Sequence, residues 1–320
     1  MVDLTLSNSK IKTYRRCPNQ YRYKYVEKLE PKRKKIQLER GSWIHDLLQH
    51  HYDGEDWVAR HSQLTKEYYA ATFEEEREDV DLSGEITRIM RSYFAHHKRE
   101  DRSLYTIDTE VDEILTLPNG LKFNFIIDWI VEDLRDGGLW IVDHKTGKNF
   151  LDPDFILLDA QLTRYFWGAE RMGYTPLRGV IFNEIRTKPP TEPEVLKSGR
   201  LTGRANLDTD YYTYYRAIRR LGQDPSRYHE ELKRLAQRGD RFFRRTRLPK
   251  DTPITRQMMR EMGMTANEIL RAEKKGHFPR SPSKECTWDC DFRDMCIVEL
   301  MGGDISSMVK HQFQRRSRRG

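Results

Sequence analysis

The tripeptide Asp143-His144-Lys145 closes an apolar run, Leu139-Trp140-Ile141-Val142. Side chains alternate along a strand, so residues 143 and 145 share one face while His144 points to the other. A second aspartate, Asp128, lies upstream, on what reads as the returning strand of a hairpin turned at Pro118-Asn119-Gly120. Carboxylates of this kind hold a hard divalent cation, Mg²⁺ or Mn²⁺. Such a cation lowers the pKa of a bound water and neutralises charge building on a phosphate. A neighbouring lysine positions the water or stabilises the transition state. Together these groups carry the chemistry of phosphodiester hydrolysis. Taken alone, an Asp-x-Lys sequence also makes a surface ion pair at a strand end. An upstream aspartate in a hairpin, an apolar strand directly before and a helix directly after favour the chemical reading. Lys148 is a candidate second cation, and Glu110 is either a further acidic group or a solvated one.

The elements that must hold these residues follow from pattern. The first hundred residues read as mainly helical, with Ser7 as an N-cap and a helix end near Cys17-Pro18. Apolar residues at helical spacing mark Gly41 to Leu48. From Tyr105 the period changes: strands are expected around 107–113, 121–131 and 139–143, then a helix from about Asp154 to Met172 and a strand at 179–182. That order, three strands, helix, strand, is an α/β core on a central sheet. Leu207 to Lys275 reads as helical and rich in arginine and aromatics, and Phe278 to Cys296 as a compact metal-bound coda. The divisions are 1–104, 105–200, 201–275, 276–300 and a basic, flexible tail at 301–320, all within one composite domain.

Three further groups bear on chemistry. Gln161 and Tyr165 stand four residues apart and share a helix face, which is also how an ordinary buried face looks. His45 lies beside an apolar stripe, the usual setting of a structural histidine. Cys286, Cys290 and Cys296 cluster tightly, with Cys17 far away in the chain. Four thiolates suit Zn²⁺ or an iron–sulfur cluster, and spacing alone does not choose between these or plain burial. Thr146-Gly147-Lys148 fails as a phosphate loop, because Val142 stands where the first glycine belongs and Asn149 replaces the final Ser or Thr.

Asp128, the run Ile141-Val142-Asp143-His144-Lys145-Thr146-Gly147-Lys148, and Gln161 with Tyr165 resemble the successive motifs of RecB-like, PD-(D/E)XK nucleases. These include AddB-type and CRISPR-associated exonucleases and viral relatives. The resemblance implies a mixed sheet flanked by helices, with helical N-terminal and C-terminal additions and an iron–sulfur staple. It implies metal binding by Asp128 and Asp143, catalysis by Lys145, and an active-site face carrying Gln161 and Tyr165. It extends to Gly41-x-x-x-His45, where the family histidine completes the metal shell, and a neutral imidazole biases such a site toward Mn²⁺. Cys17, Cys286, Cys290 and Cys296 are similar to the family's 4Fe–4S ligands. Three residues separate the first pair of the trio here, where two are common. Such a cluster would tie distant parts of the chain and act as a stabilising link.

Composition sets outer bounds. The 320 residues carry a net charge of +7, with a pI near 9.1 and a mean hydropathy of −0.85. Basicity favours an anionic partner, although Lys310, Arg315, Arg316, Arg318 and Arg319 place much of it near the C-terminus. The runs Tyr21 to Tyr25 and Arg241 to Arg245 interleave aromatics with cations, as base-stacking surfaces and half-buried elements both do. No apolar run spans a bilayer and the N-terminus lacks a signal pattern, so a cytoplasmic protein without membrane contact is expected. The expected activity is a largely sequence-independent DNA exonuclease acting on single strands or duplex ends, with a helicase or recombination partner. The alternatives are a structure-specific endonuclease and a non-catalytic iron–sulfur DNA-binding or assembly protein.

Overall fold

The computed structural model describes residues 4–72, 80–239 and 241–316. The chain begins with β1 (Thr5–Ser7) and α1 (Asn8–Arg16). Ser7 caps α1 by accepting from the Lys10 N–H, and the extended Cys17 before Pro18 ends it. α2 (Pro18–Tyr21) widens into a turn through Val26, and β2 (Leu29–Pro31) follows. α3 (Ile36–Tyr52), α4 (Trp57–Ala71) and α5 (Leu82–Asp101) pack together around Trp43, Leu47, Leu48, Ile86 and Ile89.

β3 (Leu104–Thr116) and β4 (Lys122–Asp133) form the hairpin, and β5 (Gly138–Gly147) pairs antiparallel with β4. Gly120 in the hairpin turn has φ +80°, which glycine adopts without strain. The crossover from β5 passes through α6 (Pro153–Leu157) and α7 (Ala160–Arg171) to β6 (Leu177–Arg186), which lies parallel to β5. α8 (Tyr211–Arg220) and α9 (His229–Gln237) form a satellite, and β7 (Phe243–Pro249) then closes the sheet against β6. α10 (Thr252–Lys275), α11 (Arg293–Leu300), α12 (Ser306–Gln312) and β8 (Phe313–Arg315) complete the chain.

Helices cover both faces of this mixed sheet. On one face Phe123, Phe125, Ile130 and Ile141 pack against Phe166 of α7 and Ile269 of α10. On the other, Trp129, Val131, Trp140 and Val142 pack with Tyr52 of α3. Burial of each such side chain stabilises by roughly 1.5–3 kcal/mol.

β4 is where the sheet forks. Its first residues, Lys122 to Asn124, pair with β1, and Trp129 to Asp133 pair with β5 on the same edge. Residues 125–128 lie between those two partners. Alternation also breaks there: Phe123, Phe125, Ile127 and Ile130 enter one core, whereas Trp129 and Val131 enter the other. Asp128 occupies that irregular point.

Several expectations are corrected. The helical reading of 207–275 misses β7, whose alternation is masked by arginines that pair with carboxylates on other elements. The sheet therefore extends beyond 105–200 at both ends, to β1 and β7. The helix expected over 154–172 is two, because Asp159 breaks it and caps α7 by accepting from the Gln161 N–H. The segment expected to trail freely from 301 is ordered through α12, and β8 pairs with β2; Arg318 and Arg319 lie outside the described residues. Among the described residues no helix is long and apolar enough to cross a membrane.

Candidate active site

α3 approaches the fork from one face, and a glycine permits the approach. A Cβ on Gly41 would lie 2.9 Å from Thr146 Oγ1 at the end of β5. One turn later, His45 directs Nδ1 to within 3.7 Å of Asp128 Oδ2. Burial holds the His45 pKa below its ordinary value despite the Asp128 charge, so the ring is the neutral imidazole that binds metals.

Asp128 Oδ2 accepts the His144 backbone N–H at 2.7 Å. The carboxylate thus bridges β4 to β5 where the two strands separate. Glu110 faces it from β3, midway between the register pairs Thr109–Trp129 and Val111–Ile127. Like charges directly opposite one another repel, and Glu110 also holds φ at +45°, a costly conformation for a residue with a side chain. Burial, then Asp128 and three further aspartates, push its pKa up to about 7. Ligand atoms of His45, Glu110 and Asp128 all lie within 4.8 Å of one another. A divalent cation would relieve this crowding.

On the adjoining strand Asp143 is 1% exposed. Lys145 Nζ donates to its Oδ1 at 2.8 Å and lies 2.6 Å from Oδ2. The ammonium therefore sits against both oxygens of the carboxylate. Burial raises the Asp143 pKa to about 7, with Asp128 adding to the rise against the opposing pull of Lys145. Burial lowers the Lys145 pKa, but Asp143 and Asp128 outweigh it and the net shift is upward; the amine is charged.

α7 supplies the opposite wall. Gln161 Nε2 makes a long contact of 3.4 Å to Asp143 Oδ1 and donates to the Tyr165 hydroxyl, while its Oε1 accepts from Lys145 Nζ at 3.5 Å. The helical spacing of 161 and 165 thus places both beside the lysine. Lys148 is exposed beyond β5.

His144 turns away, as strand alternation requires, into a buried network. Its Nδ1 lies 2.6 Å from Asn183 Nδ2, which also donates to the Tyr93 hydroxyl. Arg245 donates to the hydroxyls of Tyr52 and Tyr93 and to Asp101. Sequence reasoning missed this support because its members are 39–193 positions apart. It also undervalued Glu110, whose pairing with Asp128 depends on register.

The two aromatic–cationic runs are structural. Tyr21 and Tyr23 are buried, with hydroxyls on Glu273 and Glu299. Phe242 and Phe243 are buried, and Arg244 and Arg245 turn inward to Glu184 and to Asp101.

Cys17, Cys286, Cys290 and Cys296 line one cavity of about 250 Å³ and form no disulfide. Cys296 Sγ accepts from Arg280 Nε at 3.3 Å and Asn19 Nδ2 at 3.5 Å. Among the described residues no three cysteine Sγ atoms lie within 4.8 Å of one another.

The family model for the PD-(D/E)XK nuclease superfamily matches residues 5–297. Among solved structures the chain resembles a protein from Eubacterium rectale named "Putative exonuclease", with a TM-score of 0.53, 12% identity and 94% of each chain covered. At that identity the likeness speaks for the fold. Among curated proteins none matches the sequence.

Proposed function

The chain belongs to the PD-(D/E)XK nuclease superfamily, and on that premise we propose that it is a divalent-metal-dependent DNA exonuclease of low sequence preference. The observation that carries the reading is the meeting of His45, Glu110 and Asp128 beside the Asp143–Lys145 pair. One imidazole nitrogen and hard carboxylate oxygens fit Mg²⁺ or Mn²⁺. His45, Glu110 and Asp128 would hold the ion, and Asp143, which stands outside that cluster with Lys145 Nζ 2.6 Å from its Oδ2, would complete the set. When bound, the cation supplies charge neutralisation at the scissile phosphate and activates water.

The chain's own groups do the rest. Lys145, held charged between two aspartates, donates toward the developing negative charge or orients the attacking water. Gln161 restrains the amine, and Tyr165 restrains Gln161. His144 fixes Asp128 through its backbone N–H. A helicase or recombination partner remains part of the proposal.

For the cysteines we propose a 4Fe–4S cluster. All four cysteines line one cavity, and four thiolates suit such a cluster. Its role is a structural tie between Cys17 and the C-terminal segment.

The test is degradation of end-labelled linear single- and double-stranded DNA beside closed circles, with Mg²⁺ or Mn²⁺. Wild type should degrade only molecules with ends, and Lys145→Ala should lose about 10²–10³-fold in rate. Cleavage of closed circles would replace the exonuclease by an endonuclease. Intact DNA with folded protein would leave a binding role.

A further inference from the structure

Arg164 is an anomaly next to the proposed catalytic centre. It lies on α7, one turn from Gln161, and is 4% exposed. Its Nη1 donates to Asn8 Oδ1 at 2.8 Å, its Nε has no acceptor, and among the described residues it forms no ion pair. Burying a cation without a directly paired carboxylate is expensive, and Asp159 and Glu261 act on Arg164 only beyond ion-pair distance. A second cation lies nearby with neutral partners: Arg15 donates to Thr265 Oγ1 and to the Glu261 carbonyl. Burial first, then repulsion from Arg15, lowers the Arg164 pKa to about 10 against the opposing pull of Asp159 and Glu261.

The partner of Arg164 is the first residue of α1, a helix of nine residues. Its first turn carries N–H groups that lack intrahelical acceptors and a partial positive charge. Ser7 Oγ takes only the one at Lys10. β1 leads into this terminus and runs parallel to β4, with Ser7 in register with Asn124. Four residues further along β4 is Asp128, so the α1 terminus stands on the order of 13 Å from that carboxylate along the strand. The helix terminus and a nearly buried arginine therefore meet at the edge of the fork, and both attract an anion.

We propose that the α1 N-terminus and Arg164 bind a phosphate of the nucleic-acid strand, next to the catalytic centre, and so hold the strand in register with it. The inference rests on the nuclease reading and adds a substrate subsite to it. Arginine suits the task because its planar fork donates two parallel hydrogen bonds to phosphate oxygens. Helix N-termini present N–H groups to such anions. The phosphate belongs either to a strand terminus or to an internal linkage, and the two have the same oxygen chemistry.

The experiment measures binding of fluorescent single-stranded oligonucleotides, bearing 5′-phosphate or 5′-hydroxyl, with Ca²⁺ in place of Mg²⁺. Wild type, Arg164→Gln and Arg164→Lys are compared over a range of salt, with thermal melting of each and with cleavage by wild type in Mg²⁺. Arg164→Gln should weaken binding by tenfold or more and make the salt slope shallower by about 0.7, without lowering the melting temperature. Arg164→Lys should recover the salt slope but not the full affinity. A loss confined to 5′-phosphorylated strands assigns a terminal phosphate, and an equal loss on both assigns an internal one. Unchanged affinity and slope in Arg164→Gln, or a lower melting temperature with unchanged affinity, would overturn the subsite while wild-type cleavage keeps the nuclease. Failure of wild type to bind or cut would overturn both.

Discussion

Replacing Glu110 by glutamine should separate metal binding from stability. Glu110 and Asp128 oppose one another across β3 and β4, and burial with that neighbouring charge pushes the Glu110 pKa up to about 7. The site therefore disfavours its charged form. Without metal, then, Glu110→Gln should melt no lower than wild type, since the amide carries no charge to repel. With metal the order should reverse. Losing one of the proposed ligands should weaken Mn²⁺ binding on the order of a hundredfold, at least the upper range seen for outer-shell partners. At Mn²⁺ a hundred times the wild-type Kd, binding stabilises wild type by about 2.7 kcal/mol. The variant, near its own Kd, gains only about 0.4 kcal/mol, from RT ln 2. Calorimetric Mn²⁺ titration and melting with and without the ion measure both quantities. Equal Mn²⁺ affinity in the two proteins would refute the assignment of Glu110 to the metal shell.

Other consequences are equally direct. Gly41→Val should push α3 away from Thr146 and misplace His45. Activity should fall tenfold or more while urea unfolding shows a loss of about 1–3 kcal/mol; wild-type activity in the folded variant would exclude the close approach as a requirement. Arg245→Leu leaves Asp101 and Glu100 without their buried cation, and should cost about 3–5 kcal/mol in denaturant unfolding. Burial, with the Arg245 charge, holds His97 down to about 3. The unfolded chain takes up this proton below about pH 6.5 and the folded chain does not, so stability falls as pH drops from 6.5 toward 3. The His97 share is at most about 1.4 kcal/mol per pH unit. Melting of wild type and His97→Leu between pH 6.5 and 5 should show the shallower slope in the variant, and identical slopes would show that His97 takes up its proton when folded.

What was legible in the sequence is what short-range physics dictates. Pro118-Asn119-Gly120 had to turn, and Ser7 and Pro18 had to bound a helix. A two-residue period put Asp143 and Lys145 on one face, and a four-residue spacing put Gln161 and Tyr165 on another. The motifs carried the family as well, because chemistry restricts which residue types can stand at those spacings. The course of β7 was hidden: its interleaved aromatics and arginines fit a base-stacking surface as well as a half-buried element until Glu184, Glu100, Asp101 and Asp133 arrive from distant elements to pair with them. The break in alternation at Asp128 was hidden too, since it comes from the fork between β1 and β5. Glu110 shows the division best. Its strand was foreseen, but only the register of β3 on β4 and a left-handed backbone bring its carboxylate against Asp128. Local sequence sets periods and turns over a few residues; which charges meet is decided by closure of the sheet, where burial makes each unpaired group costly enough to select its partner.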